Sequence, residues 1–255
     1  MPPLRRPALE SRFPHRPLNR AGARETVWLF DLDNTLHDCS RGMFKAIDGA
    51  MRHAVATSLQ LPPDQADVIR RNYWQRYGAT VIGMVRHHGI DPARFLELSH
   101  NFDVPALVHT ERHLRPSLAR IRGRRVLLTN APLSYAERVL NALGIRHLFS
   151  GVWAIDHMHL QGTMKPKPSM ALMQQVKAQL GVPASHIVLV EDTLRNLKTA
   201  RRAGMRTAHI YHPGTPFSAA HRGRNSYVNL RVNSIRELAD RHAQFLSTPD
   251  TPGLC

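Results

Sequence analysis

The chain has 255 residues, 42% of them hydrophobic, and a formal charge of +16, which suffices for one large core or one core carrying an inserted module. It holds no run of about 18 apolar residues to cross a membrane, and its two cysteines, Cys39 and Cys255, give no disulfide framework, so a reducing cytoplasm fits. The charge points to anionic partners, yet the arginines at 120–125 and 201–206 lack the interleaved aromatics of a single-strand stacking surface and no recognition motif accompanies them.

Residues 1–25 carry Arg5, Arg6, Arg12, Arg16, Arg20 and Arg24 among several prolines without an apolar stretch, which argues against a secretory signal. A transit peptide shares the Arg-rich, acid-poor composition, but the prolines oppose an amphipathic helix, so a disordered basic tail is expected. Val27-Trp28-Leu29-Phe30 then reads as a buried strand, and it runs directly into Asp31-Leu32-Asp33-Asn34-Thr35. Asn and Thr turn the backbone there, so both acids converge on one small volume. A protein tolerates that crowding with a bound cation or with one acid protonated, and either state suits group transfer from a phosphate. An Asx-turn role for Asp33 is the plainer alternative.

From 38 to 116 the pattern is helical: 43–59, with Phe44, Ile47, Met51 and Val55 on one face, then 65–85, then 92–99. Three or four helices placed after the acidic loop form an inserted cap. The core resumes with a helix at 118–121 and a strand at 126–128 that ends in Thr129-Asn130. A helix at 135–143 closes at Gly144, and a short strand follows at 153–155. Lys165 precedes Pro166, and a helix at 169–180 stops at Gly181. A strand at 187–190 meets Glu191-Asp192, a helix at 195–203 stops before Gly204, and a strand spans 207–211. A Gly/Pro/Asn-rich linker leads to a final helix at 234–245, expected on the sheet edge, and 247–255 is a flexible tail. The alternation of strand and helix with short loops predicts an α/β fold, a Rossmann-like doubly wound parallel sheet with an inserted α-helical cap. The core takes 26–37 and 117–246, the cap 38–116.

Strand after strand thus ends in a group suited to phosphate or metal, at the carboxyl edge where open α/β sheets bind ligands. With Asp31/Asp33, Thr129, Lys165 and Glu191-Asp192 in this order, the chain resembles the haloacid dehalogenase superfamily of phosphohydrolases over about residues 27–210. Asp31 to His37, Tyr77-Gly78-Ala79-Thr80, His88-Gly89-Ile90-Asp91-Pro92, Leu128-Thr129-Asn130-Ala131 and Glu191 to Leu197 are similar to the pyrimidine 5′-nucleotidase branch.

The resemblance implies a phosphomonoesterase with Asp31 as nucleophile, giving an aspartyl-phosphate, and Asp33 as general acid and later base. It implies Mg²⁺ held by the Asp31 and Asp192 carboxylates and the Asp33 carbonyl, with Glu191 a direct or outer partner. Read alone, Glu191-Asp192 is equally a helix N-terminal acidic pair. Thr129 and the Asn130 amide are expected to donate to phosphate. Lys165 is expected to neutralise its charge, with Lys167, one proline away, the rival. Thr193 and Asn196 either orient metal waters or cap a helix. In the cap, Tyr77 and Thr80 either touch a nucleobase or pack. The sixteen histidines show no zinc spacing. UMP or CMP is the expected substrate, and sugar phosphates or phosphoglycolate are the alternative. A non-catalytic nucleic-acid module using the basic surface is the reading from another class.

Overall fold

The computed structural model describes residues 25–211 and 226–248. In chain order, β1 (Val27–Phe30) leads to α1 (Met43–Leu59), α2 (Pro63–Tyr77), α3 (Thr80–His88) and α4 (Pro92–Ser99). Then come α5 (Leu114–Arg120), β2 (Arg124–Leu128), α6 (Leu133–Ala142), β3 (Gly151–Trp153) and a small hairpin, β4 (His159–Leu160) and β5 (Thr163–Met164). The chain continues through α7 (Met170–Leu180), β6 (Ile187–Glu191), α8 (Leu194–Arg202), β7 (Arg206–Ile210), β8 (Leu230–Val232) and α9 (Ile235–Ser247).

Six strands form one sheet in the order β3-β2-β1-β6-β7-β8, and every pair in it is parallel. The order steps outward from β1 first through β2 and later through β6, so β1 lies at the point where the winding reverses. A crevice opens there at the carboxyl ends of the strands. Side chains of a strand alternate between faces, and all four residues of β1 are buried. Trp28 and Phe30 enter one apolar cluster with α6 and α9 residues, while Val27 and Leu29 enter a second with α7 and α8 residues. A strand covered on both faces must be apolar throughout, which is why the run lacks polar alternation.

Gly123 shows how tightly the strands begin. Its φ is +113°, and a Cβ there would lie 2.4 Å from the Thr26 carbonyl oxygen, so only glycine fits ahead of β2.

The cap helices α1 to α4 share a third cluster around Ala54, Val55, Ala66, Val81, Met84, Phe95 and Leu96. Asp91 accepts from the Arg94 N–H at 2.8 Å and Pro92 opens α4, a start written plainly in Asp-Pro. The cap meets the core in several places, and Met43 of α1 belongs to the Trp28 and Phe30 cluster with Phe44 and Ile47 packed against it. Ile155 and Met164, from the segment after β3, join the cap cluster. His100 and Phe102, just after α4, pack on the Tyr135 ring of α6.

Four expectations need correction. The single helix expected at 65–85 is two, because Gly78 turns left-handed with φ +79° and its N–H caps the Trp74 carbonyl. The strand expected at 153–155 ends at Trp153. The linker before the last helix contains an unforeseen strand, β8, and β8 is the sheet edge. The final helix, α9, covers a face instead: His242 and Phe245 each approach the Trp28 ring with centroids 6.3 Å apart. Trp28 is large, wholly buried and on that face, so it needs a helix over it. Residues 1–24 of the expected basic tail and 249–255 of the expected flexible tail lie outside the described residues, and Ser247 belongs to α9. No described helix is long and apolar enough to cross a membrane.

Candidate active site

Register decides which groups meet. Phe30 pairs with Leu127 on one side and Val190 on the other, so the next residues, Asp31, Leu128 and Glu191, stand in one row. The Asp31 N–H continues the ladder by donating to the Val190 carbonyl at 2.9 Å. Asp31 is thereby held by sheet backbone while its carboxylate stands in the crevice, 7% exposed. Thr129, one residue past β2, is anchored by its N–H to the Trp153 carbonyl at 2.9 Å, and its hydroxyl accepts from the Ala131 N–H at 3.0 Å.

The cation in this pocket is Lys167. Its Nζ donates to Asp31 Oδ1 at 2.6 Å and to Glu191 Oε2 at 2.7 Å, and the residue is buried. Lys165, the residue favoured from sequence, is exposed. The β4–β5 hairpin explains the difference. Gln161 and Gly162 both have positive φ, as a two-residue hairpin turn of primed type requires. The hairpin's pairing runs on through the Lys165 N–H to the Met158 carbonyl at 2.7 Å, which commits Lys165 to the hairpin. Two residues later the backbone is gripped by Asn130. The Asn130 Oδ1 accepts from the Lys167 N–H and its Nδ2 donates to the Lys167 carbonyl, each at 2.9 Å. The Asn130 side chain is therefore a clamp on the lysine loop, which leaves the backbone amide for the phosphate role expected of this residue.

Glu191 is buried with three donors: Lys167, Asn196 Nδ2 at 2.9 Å and the Thr193 N–H at 3.2 Å. Asn196 thus serves Glu191. Thr193 opens α8 without a side-chain cap and donates its hydroxyl to Asp192 Oδ1 at 3.1 Å. The Asp31, Glu191 and Asp192 ligand oxygens lie within 4.8 Å of one another. Burial and then the Glu191 charge push Asp31 above the usual carboxylate range, and burial does the same to Glu191. Burial, followed by the Asp31 charge, raises Asp192 to about 6. Burial opposes the Lys167 charge, but Asp31 and Glu191 more than offset it and hold the ammonium above the ordinary lysine range. Three carboxylates against one ammonium leave an excess of negative charge. A hard divalent cation with oxygen ligands would relieve it, and the donor set fits Mg²⁺.

Asp33 has separate surroundings. Its Oδ1 accepts from Tyr135 Oη at 2.8 Å and sits 2.9 Å from His37 Nε2 and 3.3 Å from Cys39 Sγ. Burial works against the carboxylate, but the His37 contact and then the Tyr135 and Cys39 hydrogen bonds prevail and lower its pKa. All three contacts fall on one oxygen, so Oδ2 is the atom left for a reacting group. Asn34, at φ 58°, accepts from the Cys39 N–H at 3.1 Å and closes the turn. His37, four residues after Asp33, carried a sequence signal in its spacing. Tyr135 carried none, being 102 residues away.

The cap residues lie apart from this chemistry. Thr80 is buried, and its hydroxyl donates to the Arg70 carbonyl at 3.2 Å, which makes it a packing residue between α2 and α3 and removes it from the substrate set. The Tyr77 hydroxyl is 2.6 Å from His87 Nε2. Its neighbour Gly78 is close to the site, with a Cβ there falling 3.8 Å from the Lys167 carbonyl oxygen.

Comparison with known proteins agrees with this geometry. Over 204 residues the chain is 24% identical to phosphate metabolism protein 8 of Saccharomyces cerevisiae, covering 73% of this chain and 61% of that protein. Over 191 residues it is 29% identical to a phosphoglycolate phosphatase of Pectobacterium atrosepticum, covering 70% of this chain and 76% of that one. The fold superposes on a haloacid dehalogenase phosphatase from Thermococcus onnurineus with a TM-score of 0.58 at 19% identity, over 86% of this chain and 97% of that one. The sequence profile of the haloacid dehalogenase-like hydrolases matches residues 26–204, a stretch that contains every residue of the crevice just described, and the chain belongs to that family of hydrolases.

Proposed function

We propose that the protein is a Mg²⁺-dependent phosphomonoesterase acting through an aspartyl-phosphate on Asp31. The observation that carries this is the Asp31 carboxylate at the end of β1, gripped on Oδ1 by Lys167, with Asp33 two residues on and one of its oxygens uncommitted. Asp31 Oδ2 attacks phosphorus, the ester oxygen departs, and the chain oxygen becomes part of an acyl phosphate. The fixed strand end supplies the aim that in-line attack demands. Lys167 and the Thr129 hydroxyl face the charge that develops on the transferring group. Mg²⁺ held by Asp31, Asp192 and the Asp33 carbonyl would neutralise phosphate charge.

Asp33 Oδ2 is the proton donor to the departing alkoxide and then the acceptor from the water that hydrolyses the acyl phosphate. Its resting state favours the carboxylate, which suits the second half. The first half needs a proton, and a monoester monoanion, with a second pKa of about 6, brings one. The incoming negative charge also raises the affinity of Asp33 for it.

Two substrate classes compete. Tyr77 adjoins Gly78, which lies against the Lys167 carbonyl, and the Arg76 and Arg86 guanidinium groups lie 5.4 and 5.9 Å from its ring. An aromatic ring flanked by cations there favours a pyrimidine nucleotide. The similarity to a phosphoglycolate phosphatase favours a small hydroxyacid or sugar phosphate. Hydrolysis of UMP, CMP, phosphoglycolate and hexose phosphates, each with and without Mg²⁺, tests both. Metal-dependent release of phosphate is expected, with kcat/KM ranking the classes. Failure to turn over any phosphomonoester would reject the enzyme reading.

A further inference from the structure

Asp33, His37 and Cys39 stand around one point. The Oδ1 to Nε2 distance is 2.9 Å, Oδ1 to Sγ 3.3 Å and Sγ to Nε2 3.5 Å. A tetrahedral zinc, bonded at about 2.0 Å to oxygen, 2.05 Å to nitrogen and 2.3 Å to sulfur, sets its ligands about 3.3 Å apart for O and N and about 3.5 Å apart for either with S. The triangle's edges come within about 0.4 Å of those values, but Sγ also lies 3.7 Å from Nδ1, so the His37 ring must rotate for its Nε2 lone pair to face an ion shared with the sulfur. The turn that carries it is braced by the Asn34 bond to the Cys39 N–H and by a backbone bridge between Asp33 and His37. His37 and Cys39 are buried, while the Asp33 side chain keeps 26% exposure, so an ion reaches the triangle from the crevice.

The donor set differs in kind from the other acidic group. Asp31, Glu191 and Asp192 offer oxygen alone, which suits Mg²⁺. One oxygen, one imidazole nitrogen and one sulfur suit a borderline or soft cation, and sulfur discriminates against Mg²⁺. We propose that Asp33, His37 and Cys39 form a second cation site, selective for Zn²⁺ and its like, and that filling it inhibits the enzyme because a dication on Asp33 Oδ1 draws charge from the shared carboxylate and leaves Oδ2 too weak a base for its part in proton transfer. On binding, the Cys39 thiol loses its proton to solvent, His37 gives the Nε2 lone pair and releases to solvent any proton held there, and the Asp33 carboxylate gives Oδ1. The ion's two positive charges are matched by one thiolate and one carboxylate, and a water completes the tetrahedron. Binding stands independently of the function proposed above, whereas the inhibitory consequence rests on it.

Cobalt(II) serves as the spectroscopic probe, added to the full-length protein in saturating Mg²⁺. The expected result is a near-ultraviolet thiolate-to-cobalt charge-transfer band with visible bands of a four-coordinate ion, abolished by Zn²⁺ and unmoved by further Mg²⁺. The band should persist in Cys255→Ser and vanish in Cys39→Ala and in His37→Gln, with thermal melts confirming that each variant is folded. Should one of these two variants fail to fold, the other decides. A wild-type protein with no thiolate band, or a band that survives Cys39→Ala, overturns the site. In the second arm, the ratio of zinc-inhibited to uninhibited phosphatase rate is measured for each protein separately. Cys39→Ala should raise the half-inhibiting Zn²⁺ concentration at least about tenfold, one ligand's share of affinity. Equal zinc sensitivity overturns the inhibitory role and puts the ion at Asp31 and Asp192. A protein that shows the cobalt band but hydrolyses no phosphomonoester keeps the site and loses the proposed function.

Discussion

The carboxyl edge of the sheet and the helical cap solve opposite problems with the same kinds of residue. At the edge, Asp31, Glu191 and Lys167 are buried and satisfy one another within 2.7 Å, and each is delivered by backbone held in a ladder or by a clamp. In the cap, Tyr77, His87 and Arg86 meet on the surface, and no ladder fixes their direction. One close approach in the cap is apolar: a Cβ on Gly83 would overlap the Tyr73 ring at 2.1 Å, so α3 and α2 touch where a side chain is missing. Buried charges have one workable arrangement, because an unpaired one is expensive. Surface rings and cations have many. Chemistry should therefore be intolerant of change at the edge, and selectivity should be adjustable in the cap.

The sharpest test of that contrast is Asp31→Asn. Turnover of every substrate should fall by about 10³-fold or more, measured in steady state, with the melting temperature kept. Substantial residual turnover would remove the nucleophile from Asp31 and with it the edge's claim to the chemistry.

Lys167→Met should lower kcat by about 10²-fold and cost about 3 kcal/mol of stability, because it strands two buried carboxylates. Lys165→Met should alter both within about twofold, as expected of a surface position. Chemical denaturation and initial rates on the two variants settle which lysine serves the pocket.

The seam between the regions is open to acid. Burial pushes His100 down to about 4, below its unfolded value of about 6.5. The unfolded chain therefore binds the extra proton across that interval, so stability is full above about pH 6.5 and declines as pH falls toward 4, by about 3 kcal/mol in all. Urea melts from pH 7 to 4 should show that decline, and His100→Gln should flatten it. An unchanged profile in the variant would place the acid sensitivity elsewhere.

A subtler effect is expected at Tyr135→Phe, which removes one of the donors on Asp33 Oδ1. With alkyl phosphates, whose leaving oxygen needs a proton, kcat should drop about tenfold. With p-nitrophenyl phosphate, whose phenolate leaves unaided, it should hardly change. An equal loss on both substrates would mean that the tyrosine merely packs. Smallest of all, Tyr77→Phe should move the ratio of kcat/KM for UMP over phosphoglycolate by about threefold while leaving the Mg²⁺ dependence intact. No shift in that ratio would end the argument that this ring selects the substrate.

The sequence disclosed the edge far better than the cap, for reasons visible in single residues. Strands buried on both faces must be apolar, so the runs at 27–30 and 187–190 announce themselves, and the polar residues that follow mark the carboxyl edge of the sheet. The lysine was harder. Lys165 and Lys167 are each followed by a proline, and what separates them is a hairpin of two-residue strands and a clamp on Lys167 from Asn130, thirty-seven positions away. Tyr135 was invisible for the same cause, since a long-range hydrogen bond leaves no local pattern. Gly78 was legible as a helix stop but lay inside an apolar period that continued past it. β8 was missed because three residues between polar neighbours, Leu230–Val232, carry too little pattern to be told from a loop.

The Asn130 grip on Lys167 has a kinetic meaning. A lysine stem ordinarily samples many rotamers, and ordering it costs up to about 2 kcal/mol. Here its main chain is fastened at both the N–H and the carbonyl by one amide, and its tip is fastened by two carboxylates. That freedom is surrendered once, when the chain folds, and no arriving ligand has to quench it again. The ammonium should thus be as still before an encounter as during one.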